Sequence, residues 1–99
     1  MKYIVTVRGK LNSASSQVQS VHDDIVSRVS PMGRPMGNTS HQTYLNVQDD
    51  REFFAIDVWD NLEGIQKLYS DPNLATEFAR MFDGQPEVTI WADSGWYQF

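Results

Sequence analysis

Cysteine is absent from the 99 residues of this chain. Without a thiol the protein forms no disulfide, runs no thiolate chemistry and offers no Cys ligand to a metal. This composition fits a reducing compartment, and we expect a cytoplasmic location. The first ten residues hold only a short apolar run between charges, with no small-residue cleavage site, so they predict a strand and not a signal peptide. No run approaches membrane-spanning length, and we expect no membrane partner.

Basic residues are scarce, with eight Lys and Arg against thirteen Asp and Glu and a net charge of −5. No segment concentrates the basic residues, and phosphate backbones are bound by clustered positive charge. We therefore expect no nucleic acid partner. The sequence also contains no GxGxxG, P-loop, GxSxG or HExxH pattern, which excludes the usual nucleotide-cofactor sites and Ser-triad hydrolysis.

The chain has the length and composition of a single domain that spans residues 1–99. Apolar residues make up 40% and aromatic residues 12%, which is typical of a globular protein. A domain this short buries a limited core, so an oligomer that buried further surface would gain stability.

Hydrophobic periodicity and turn residues predict the element order βαββαβ. Alternating and β-branched runs predict strands at Tyr3–Arg8, His41–Val47, Phe53–Trp59 and Glu87–Ala92. A helix capped by Asn12 or Ser13 follows the first strand, and residues 30–40, with two Pro and two Gly, are expected to form a loop. A second helix, capped by Asp60 or Asn61, is interrupted at residues 70–72 and restarts with Asp71 as its cap and Pro72 just inside. The fold class is therefore α+β and ferredoxin-like, with a four-stranded antiparallel sheet and helices on one face.

Alternation along the strands divides the predicted sheet into two faces. One face is aliphatic and is expected to pack under the helices: Val5, Val7, Leu45, Val47, Phe54, Ile56, Val58, Val88 and Ile90. The other is mixed: Thr6, Arg8, Gln42, Tyr44, Asn46, Phe53, Ala55, Asp57, Trp59, Thr89 and Trp91. Its aromatic content indicates either an interface with a partner or a ligand cavity, and two facing sheets would provide both.

Residues 54–74, FAIDVWDNLEGIQKLYSDPNL, resemble the central motif of the antibiotic biosynthesis monooxygenase-like family, within the dimeric α+β barrel superfamily. The matching positions are Asp57, Trp59, Asp60, Gly64, Ile65 and Pro72. The resemblance implies a homodimer whose two sheets form a barrel. Many members act on aromatic or polycyclic compounds, some using oxygen without a cofactor, whereas others degrade haem or have no assigned activity.

The chain departs from the family pattern in the helix after this motif. Leu68 stands where members often carry a His, and residues 73–83 contain no His that could ligate haem. We therefore expect no cofactor.

Asp57 is the first candidate for chemistry, because a carboxylate between apolar strand neighbours is costly unless it is paired. It is either a general base for a phenolic or enolic proton or one half of an ion pair with Arg8. Such a pair in a cavity wall would also orient a substrate.

His22, near the apolar stripe of the first helix, and His41, at the start of strand two, are further acid–base candidates. Both have the alternative of an ordinary surface histidine. The spacing of His22, His41 and Asp57 matches no known metal-ligand motif, and we expect no metal.

Tyr44, Trp59 and Trp91 are the predicted walls of a binding site, since flat rings stack on planar ligands. Their alternative is the core of a dimer. Asn46 is a candidate donor to a substrate carbonyl, with a strand neighbour as its alternative partner. Trp96, Tyr97 and Phe99 are expected to dock on a partner subunit or to close the end of the barrel.

The leading hypothesis is a cofactor-independent monooxygenase-like enzyme for a small aromatic or quinol-type compound. Deprotonation by Asp57 or a His would start the reaction. The rival is a non-catalytic dimeric barrel that binds a small molecule or serves as an accessory protein.

Overall fold

A computed structural model describes residues 2–99 and confirms the βαββαβ order. The strands are β1 (Tyr3–Lys10), β2 (Asn38–Asn46), β3 (Asp49–Trp59) and β4 (Glu87–Ala92). The helices are α1 (Ser15–Gly33), α2 (Leu62–Tyr69) and α3 (Pro72–Ala79). The sheet is antiparallel with strand order β2-β3-β1-β4. In the part of the chain that the structure describes, no helix has both the length and the apolar character to cross a membrane.

The helices cover one face of the sheet, and the main core lies between the two layers. The most deeply buried side chains come from every layer: Val5 from β1, Trp59 from β3, Ile65 from α2 and Leu11 from the β1–α1 connection. Asn61 and Asp71 cap α2 and α3 through their side-chain carbonyl and carboxylate oxygens. The sequence predicted Asp71, and it offered Asn61 as one of two candidates with Asp60.

The start of α1 differs from the prediction. Its N-cap is Ala14, which has no side-chain acceptor, and not Asn12 or Ser13. The carboxylate of Asp50 in β3 takes over this role and accepts hydrogen bonds from the backbone N (2.9 Å) and Oγ (2.5 Å) of Ser15. Both bonds hold the pKa of Asp50 below its ordinary value, and the bond from the Ser15 hydroxyl has the larger effect.

Most of residues 30–40 form regular secondary structure, so the prediction of a loop there is wrong for most of the segment. Helix α1 continues through Pro31 to Gly33, a 3₁₀ turn follows at Arg34–Met36, and β2 starts at Asn38. Val29 packs against the core and Gly33 is buried, so tertiary packing outweighs the local preference of Pro and Gly for a loop.

Two glycines allow the 3₁₀ turn to sit against the start of α2. Gly37 adopts φ 112°, and its carbonyl accepts a hydrogen bond from the backbone N of Asp60 (3.0 Å). Gly64 faces the turn so closely that a Cβ there would lie 1.9 Å from the carbonyl oxygen of Met36. The α1–β2 connection is thus held directly against α2.

The predicted division of the sheet into faces is wrong for β3. Val5 pairs with Asp57 and Val7 with Ala55 across the β1–β3 ladder, so these side chains share the helix-facing side. The residues of β3 that were expected on the outer face are buried under the helices: Phe53, Ala55, Asp57 and Trp59. Phe54, Ile56 and Val58 lie on the opposite side. Apolar residues occupy both parities of this strand, so alternation alone does not set its phase.

The side of the sheet away from the helices, called the open face below, is also apolar. Its apolar residues are Ile4, Tyr44, Phe54, Ile56, Val58 and Trp91, and polar residues including Thr6 and Arg8 share the face with them. Tyr44 and Trp91 are 49% and 54% exposed, and the indole N–H of Trp91 donates to the hydroxyl of Thr6 at 2.9 Å. Beyond β4, the aromatic residues Trp96, Tyr97 and Phe99 are exposed.

Replacement of Gly64 by Ala tests the contact between the 3₁₀ turn and α2. The new methyl group would meet the Met36 carbonyl, so we expect the free energy of unfolding in urea to fall by about 1–3 kcal/mol. Gly33→Ala is the matched control, since its Cβ would make an ordinary 3.5 Å contact with Asn38 and Ala favours a helix. Equal stability of the two variants would contradict the close approach.

Candidate functional site

A cavity of about 90 Å³ lies between the sheet and the helices. Its walls are mainly apolar and come from α1, α2, α3 and the helix-facing side of the sheet. They include Ile25, Val29, Leu68, Leu74, Phe78 and Met81. The polar residues at the cavity are few, and three of the candidates predicted from the sequence, Asp57, His41 and His22, are among them.

Asp57 is held in this cavity wall by its neighbour in the sheet. The residue is 7% exposed, and its cross-strand partner in β2 is His41. Nδ1 of His41 lies 2.5 Å from Oδ1 of Asp57, which gives the buried carboxylate a hydrogen-bonded partner. The predicted ion pair between Asp57 and Arg8 is wrong: Arg8 is on the other face, where its Nε donates to Glu52 at 2.9 Å.

His41 in turn meets His22 of α1. Their Nε2 atoms are 3.0 Å apart, and Nδ1 of His22 lies 2.9 Å from Oδ1 of Asp23. A continuous chain of polar contacts therefore runs from Asp23 through both imidazoles to Asp57. The sequence singled out both histidines, but their direct contact joins residues far apart in the chain and depends on how α1 packs over β2.

Tyr69, which the sequence analysis did not select, completes the surroundings of Asp57. Its hydroxyl is directed at Oδ2 of Asp57 at 3.5 Å. Burial raises the pKa of Tyr69 well above its ordinary value, and the charge of Asp57 and the hydrogen bond to it raise it further. Tyr69 thus remains a neutral donor at physiological pH. The sequence did contain a signal that could have identified Tyr69, because it is the only residue in the apolar stripe of α2 that carries a polar group.

Trp59 lines the cavity and carries an unpaired hydrogen-bond donor. The residue is 1% exposed, and its Nε1 has no hydrogen-bond partner among the residues that the structure describes. Buried N–H groups are nearly always paired, so an unpaired one in a cavity wall indicates where a ligand acceptor would be favoured. The site thus combines two kinds of group. Asp57 and His41 can accept or donate a proton, and Tyr69 and Trp59 have hydrogen-bond donors that can hold an oxygen atom.

The remaining predicted binding residues lie elsewhere. Tyr44, Trp91 and Arg8 are on the other side of the sheet from the cavity. Asn46 is at the end of β2, where its Nδ2 donates to Oε2 of Glu52 at 3.0 Å. The structure therefore brings together the acid–base candidates and Trp59 but leaves these four residues apart from them.

Residues 2–99 contain no group of three or more His, Cys, Asp or Glu side chains arranged to hold a metal ion. The Nε2 atoms of His22 and His41 are 3.0 Å apart, which is an ordinary hydrogen-bond separation. The geometry at these histidines is that of a hydrogen bond.

Solved structures share the fold of this chain. SnoaB from Streptomyces nogalater, a cofactor-independent oxygenase, is 16% identical with a TM-score of 0.70, over 93% of this chain and 92% of its own. A protein from Chloroflexus aurantiacus J-10-fl, provisionally named an antibiotic biosynthesis monooxygenase, is 17% identical with a TM-score of 0.66, over 99% and 98%. A conserved protein from Methanosarcina mazei Go1 is 12% identical with a TM-score of 0.68, over 92% and 91%.

No family model and no curated protein matches the sequence. The resemblance carried by residues 54–74 is nevertheless confirmed at the level of the fold, because structures named as antibiotic biosynthesis monooxygenases have it.

Replacement of Tyr69 by Phe tests the environment of Asp57. The folded protein retains a phenolic proton that the unfolded chain releases above the ordinary pKa of 10.0. Below that pH the stabilisation by the buried, protonated Tyr69 is complete. Above it, the free energy of unfolding falls by up to about 1.4 kcal/mol per pH unit, because the unfolded chain loses this proton and the folded protein keeps it. We expect the free energy of unfolding to fall less steeply between about pH 9 and pH 11 in Tyr69→Phe than in the wild type.

Urea denaturation across this range measures the effect. Tyr44→Phe, the same change at a half-exposed position on the open face, controls for the loss of a tyrosine hydroxyl. Identical alkaline slopes in the wild type and Tyr69→Phe would contradict the buried contact with Asp57.

Proposed function

We propose that this protein is a cofactor-independent monooxygenase-like enzyme that acts on a small aromatic or quinol-type compound in the cavity between its helices and its sheet. The observation that carries the proposal is that one apolar cavity contains both a buried carboxylate, that of Asp57, and an indole N–H without a partner, that of Trp59. The fold shared with SnoaB, which is named a cofactor-independent oxygenase, supports the same reaction class.

The cavity suits an aromatic ring that carries oxygen. Phe78, Ile25 and Leu74 provide apolar surface for the ring. A ring hydroxyl would lie towards Asp57, and an oxygen that gains negative charge would accept the N–H of Trp59. At about 90 Å³ the cavity is smaller than ordinary sites for drug-sized ligands, so it favours a single ring over a polycyclic compound.

Asp57 would act as the general base. It accepts the hydroxyl proton of the substrate and leaves an electron-rich phenolate, which reacts with dioxygen at the para carbon. In the overall reaction a phenol and dioxygen give a quinone and water. One oxygen atom enters the ring and the other leaves as water. The substrate loses two hydrogens, one from the hydroxyl group and one from the ring, which balance those of the water, and it supplies the electrons itself.

The rival function is a non-catalytic barrel that binds a small aromatic molecule. The same apolar walls and the indole N–H would serve a binder. A binder of neutral aromatic compounds has no need of a buried carboxylate, or of the groups that pair with it, in its cavity wall. The position of Asp57 at the cavity therefore favours the enzyme.

We also propose that a second copy of the chain covers the open face. Its aliphatic residues and the half-exposed Tyr44 and Trp91 form an apolar surface that water would otherwise contact. Two such faces together would give the barrel that the family resemblance implies. Because the cavity is on the helix side, each subunit would keep its own site. A cytoplasmic location remains a prediction.

A comparison of oxygen consumption with ligand affinity tests the proposed reaction. The substrates are alkyl- and hydroxy-substituted phenols with a free para carbon, followed by oxygen uptake and quinone absorbance. The affinity probe is 4-methylphenol, whose blocked para carbon prevents the reaction, measured by calorimetry. We expect Asp57→Asn to lower turnover by about 100-fold or more and to change the affinity for 4-methylphenol only slightly.

Trp59→Phe should weaken the binding of 4-methylphenol by about threefold to tenfold, since it removes the unpaired donor. Trp91→Phe is the same change on the open face and should leave affinity unchanged. Full turnover in Asp57→Asn would contradict the enzyme proposal. Binding of 4-methylphenol by a wild-type protein that oxidises none of the phenols would favour the rival.

The assembly is tested by a charge placed at the centre of the open face. We expect sedimentation at micromolar concentration to give a dimer for the wild type and a monomer for Ile56→Lys, because a buried, unpaired ammonium group is costly. Gln66→Lys, on the exposed surface of α2, should remain a dimer, and circular dichroism should show both variants folded. A wild-type monomer at this concentration would refute the proposed interface.

A further inference from the structure

His22 and His41 contact each other, and each also contacts an Asp side chain. This chain of contacts suggests a role that extends the proposed function. We propose that His22 and His41 act as one unit that holds a single shared proton and a positive charge, and that this unit supplies a proton to Asp57. The delivery of that proton during turnover rests on the proposed function, whereas the protonation of the pair does not.

The contact between the rings is a hydrogen bond in line with both imidazoles. The ring centroids are 5.2 Å apart and the planes differ by 21°. The Nε2 atoms are 3.0 Å apart. The centroid separation is larger than this by about twice the distance from the centre of an imidazole ring to its Nε2 atom. The rings therefore meet edge to edge, with one Nε2 pointing at the other. Such a contact requires a proton on one of the two nitrogens and a lone pair on the other.

The outer nitrogens of the pair face carboxylates, which only accept hydrogen bonds when ionised. Nδ1 of His41 faces Asp57, and Nδ1 of His22 faces Asp23. Both Nδ1 atoms therefore carry a proton, and the Nε2 contact holds one more. Three protons on four ring nitrogens make one imidazolium and one neutral imidazole, so the pair bears a single positive charge between two negative ones.

The surroundings favour this extra charge. The charged or titratable groups in contact with the chain are Asp23 on α1, Asp57 on β3 and, at the far oxygen of Asp57, Tyr69 on α2. The ring of Phe53 lies 6.0 Å from that of His22. A pair of imidazoles between two carboxylates is stabilised when it is protonated, because opposite charges attract at short range.

The chain also connects the solvent with the cavity. The Asp23 side chain is 63% exposed, the His22 and His41 side chains are 18% and 29% exposed, and that of Asp57 is 10% exposed. A proton lost at the inner end can therefore be replaced from water at the outer end.

Proton delivery would occur as two linked transfers. The proton on Nδ1 of His41 moves to Oδ1 of Asp57, and the proton on Nε2 of His22 moves to Nε2 of His41. Asp57 becomes neutral, and the pair loses its positive charge. No other bond changes in this step. It would follow the transfer of the first proton, taken by Asp57 from the substrate hydroxyl, to the oxygen atom that leaves, which returns Asp57 to its ionised form. Asp57 then gives the second proton to the same oxygen atom, which leaves as water, and the proton released from the para carbon replaces it through the solvent at the outer end of the chain.

Nitrogen-15 NMR of the imidazoles at neutral pH tests the resting state in the absence of any substrate. We expect protonated Nδ1 atoms on both rings and a scalar coupling between the two Nε2 atoms. Asp23→Asn should remove the extra proton, because the negative charge that stabilises it beside His22 is lost. Asp83→Asn, the same change on the exposed α3–β4 connection, should leave the spectrum unchanged. Two neutral rings without coupling in the wild type would overturn the proposal.

Turnover provides a second, separable measurement of the delivery step. Here His22 and Asp23 are positioning residues, since they act through His41. We expect Asp23→Asn to lower kcat about tenfold and to flatten its pH profile, with KM and the affinity for 4-methylphenol unchanged. An unaltered kcat and pH profile would overturn delivery to Asp57. A wild-type protein that shows the coupled, protonated pair but oxidises no phenol would refute the proposed function and leave the shared proton established.

Discussion

The burial of the Asp57 carboxylate is the constraint on which the site depends. An ionised group in an apolar layer is tolerated only if its oxygens are paired, and here His41 and Tyr69 provide the contacts from two different elements. His41 is on the edge strand β2, and Tyr69 ends α2, so the carboxylate joins the sheet to the helix layer. His22 then extends the same network to α1. One costly residue in the middle of β3 thereby organises polar groups that lie far apart in the sequence.

The second general feature is the apolar character of both faces of the sheet. The helix-facing side encloses the cavity, and the open face presents Ile4, Ile56 and Trp91 on the other side. Aromatic residues in a strand with apolar neighbours on both sides do not by themselves indicate which face binds a ligand. In this protein the helix-facing side holds the candidate chemistry, and the open face is the proposed interface between subunits.

The sequence was sufficient to predict the order of elements, the cap at Asp71 and a choice of two residues for the cap of α2. It also selected Asp57, His41, His22 and Trp59, which the structure brings to one cavity. Local signals determine such features, because caps and periodicity act within a few residues. It was not sufficient for the phase of β3, since FFAIDVW has apolar residues at both parities and the ladder to β1 decides between them. Nor could it reveal the contact of Asp50 with Ser15, the ring-to-ring contact of the histidines or the role of Tyr69. Each of these joins distant residues through packing.

Strand β3 has a consequence for how proteins of this kind can diversify. Its odd-numbered residues from Phe53 to Trp59 line the cavity, whereas Phe54, Ile56 and Val58 point to the open face. Neighbouring codons of a single gene segment therefore specify separate properties. A lineage could change the proposed ligand site through one set of positions and the proposed interface through the other, with little interference between the two. The strand that fixes the site can in this way remain in place while selection acts on each of its sides independently.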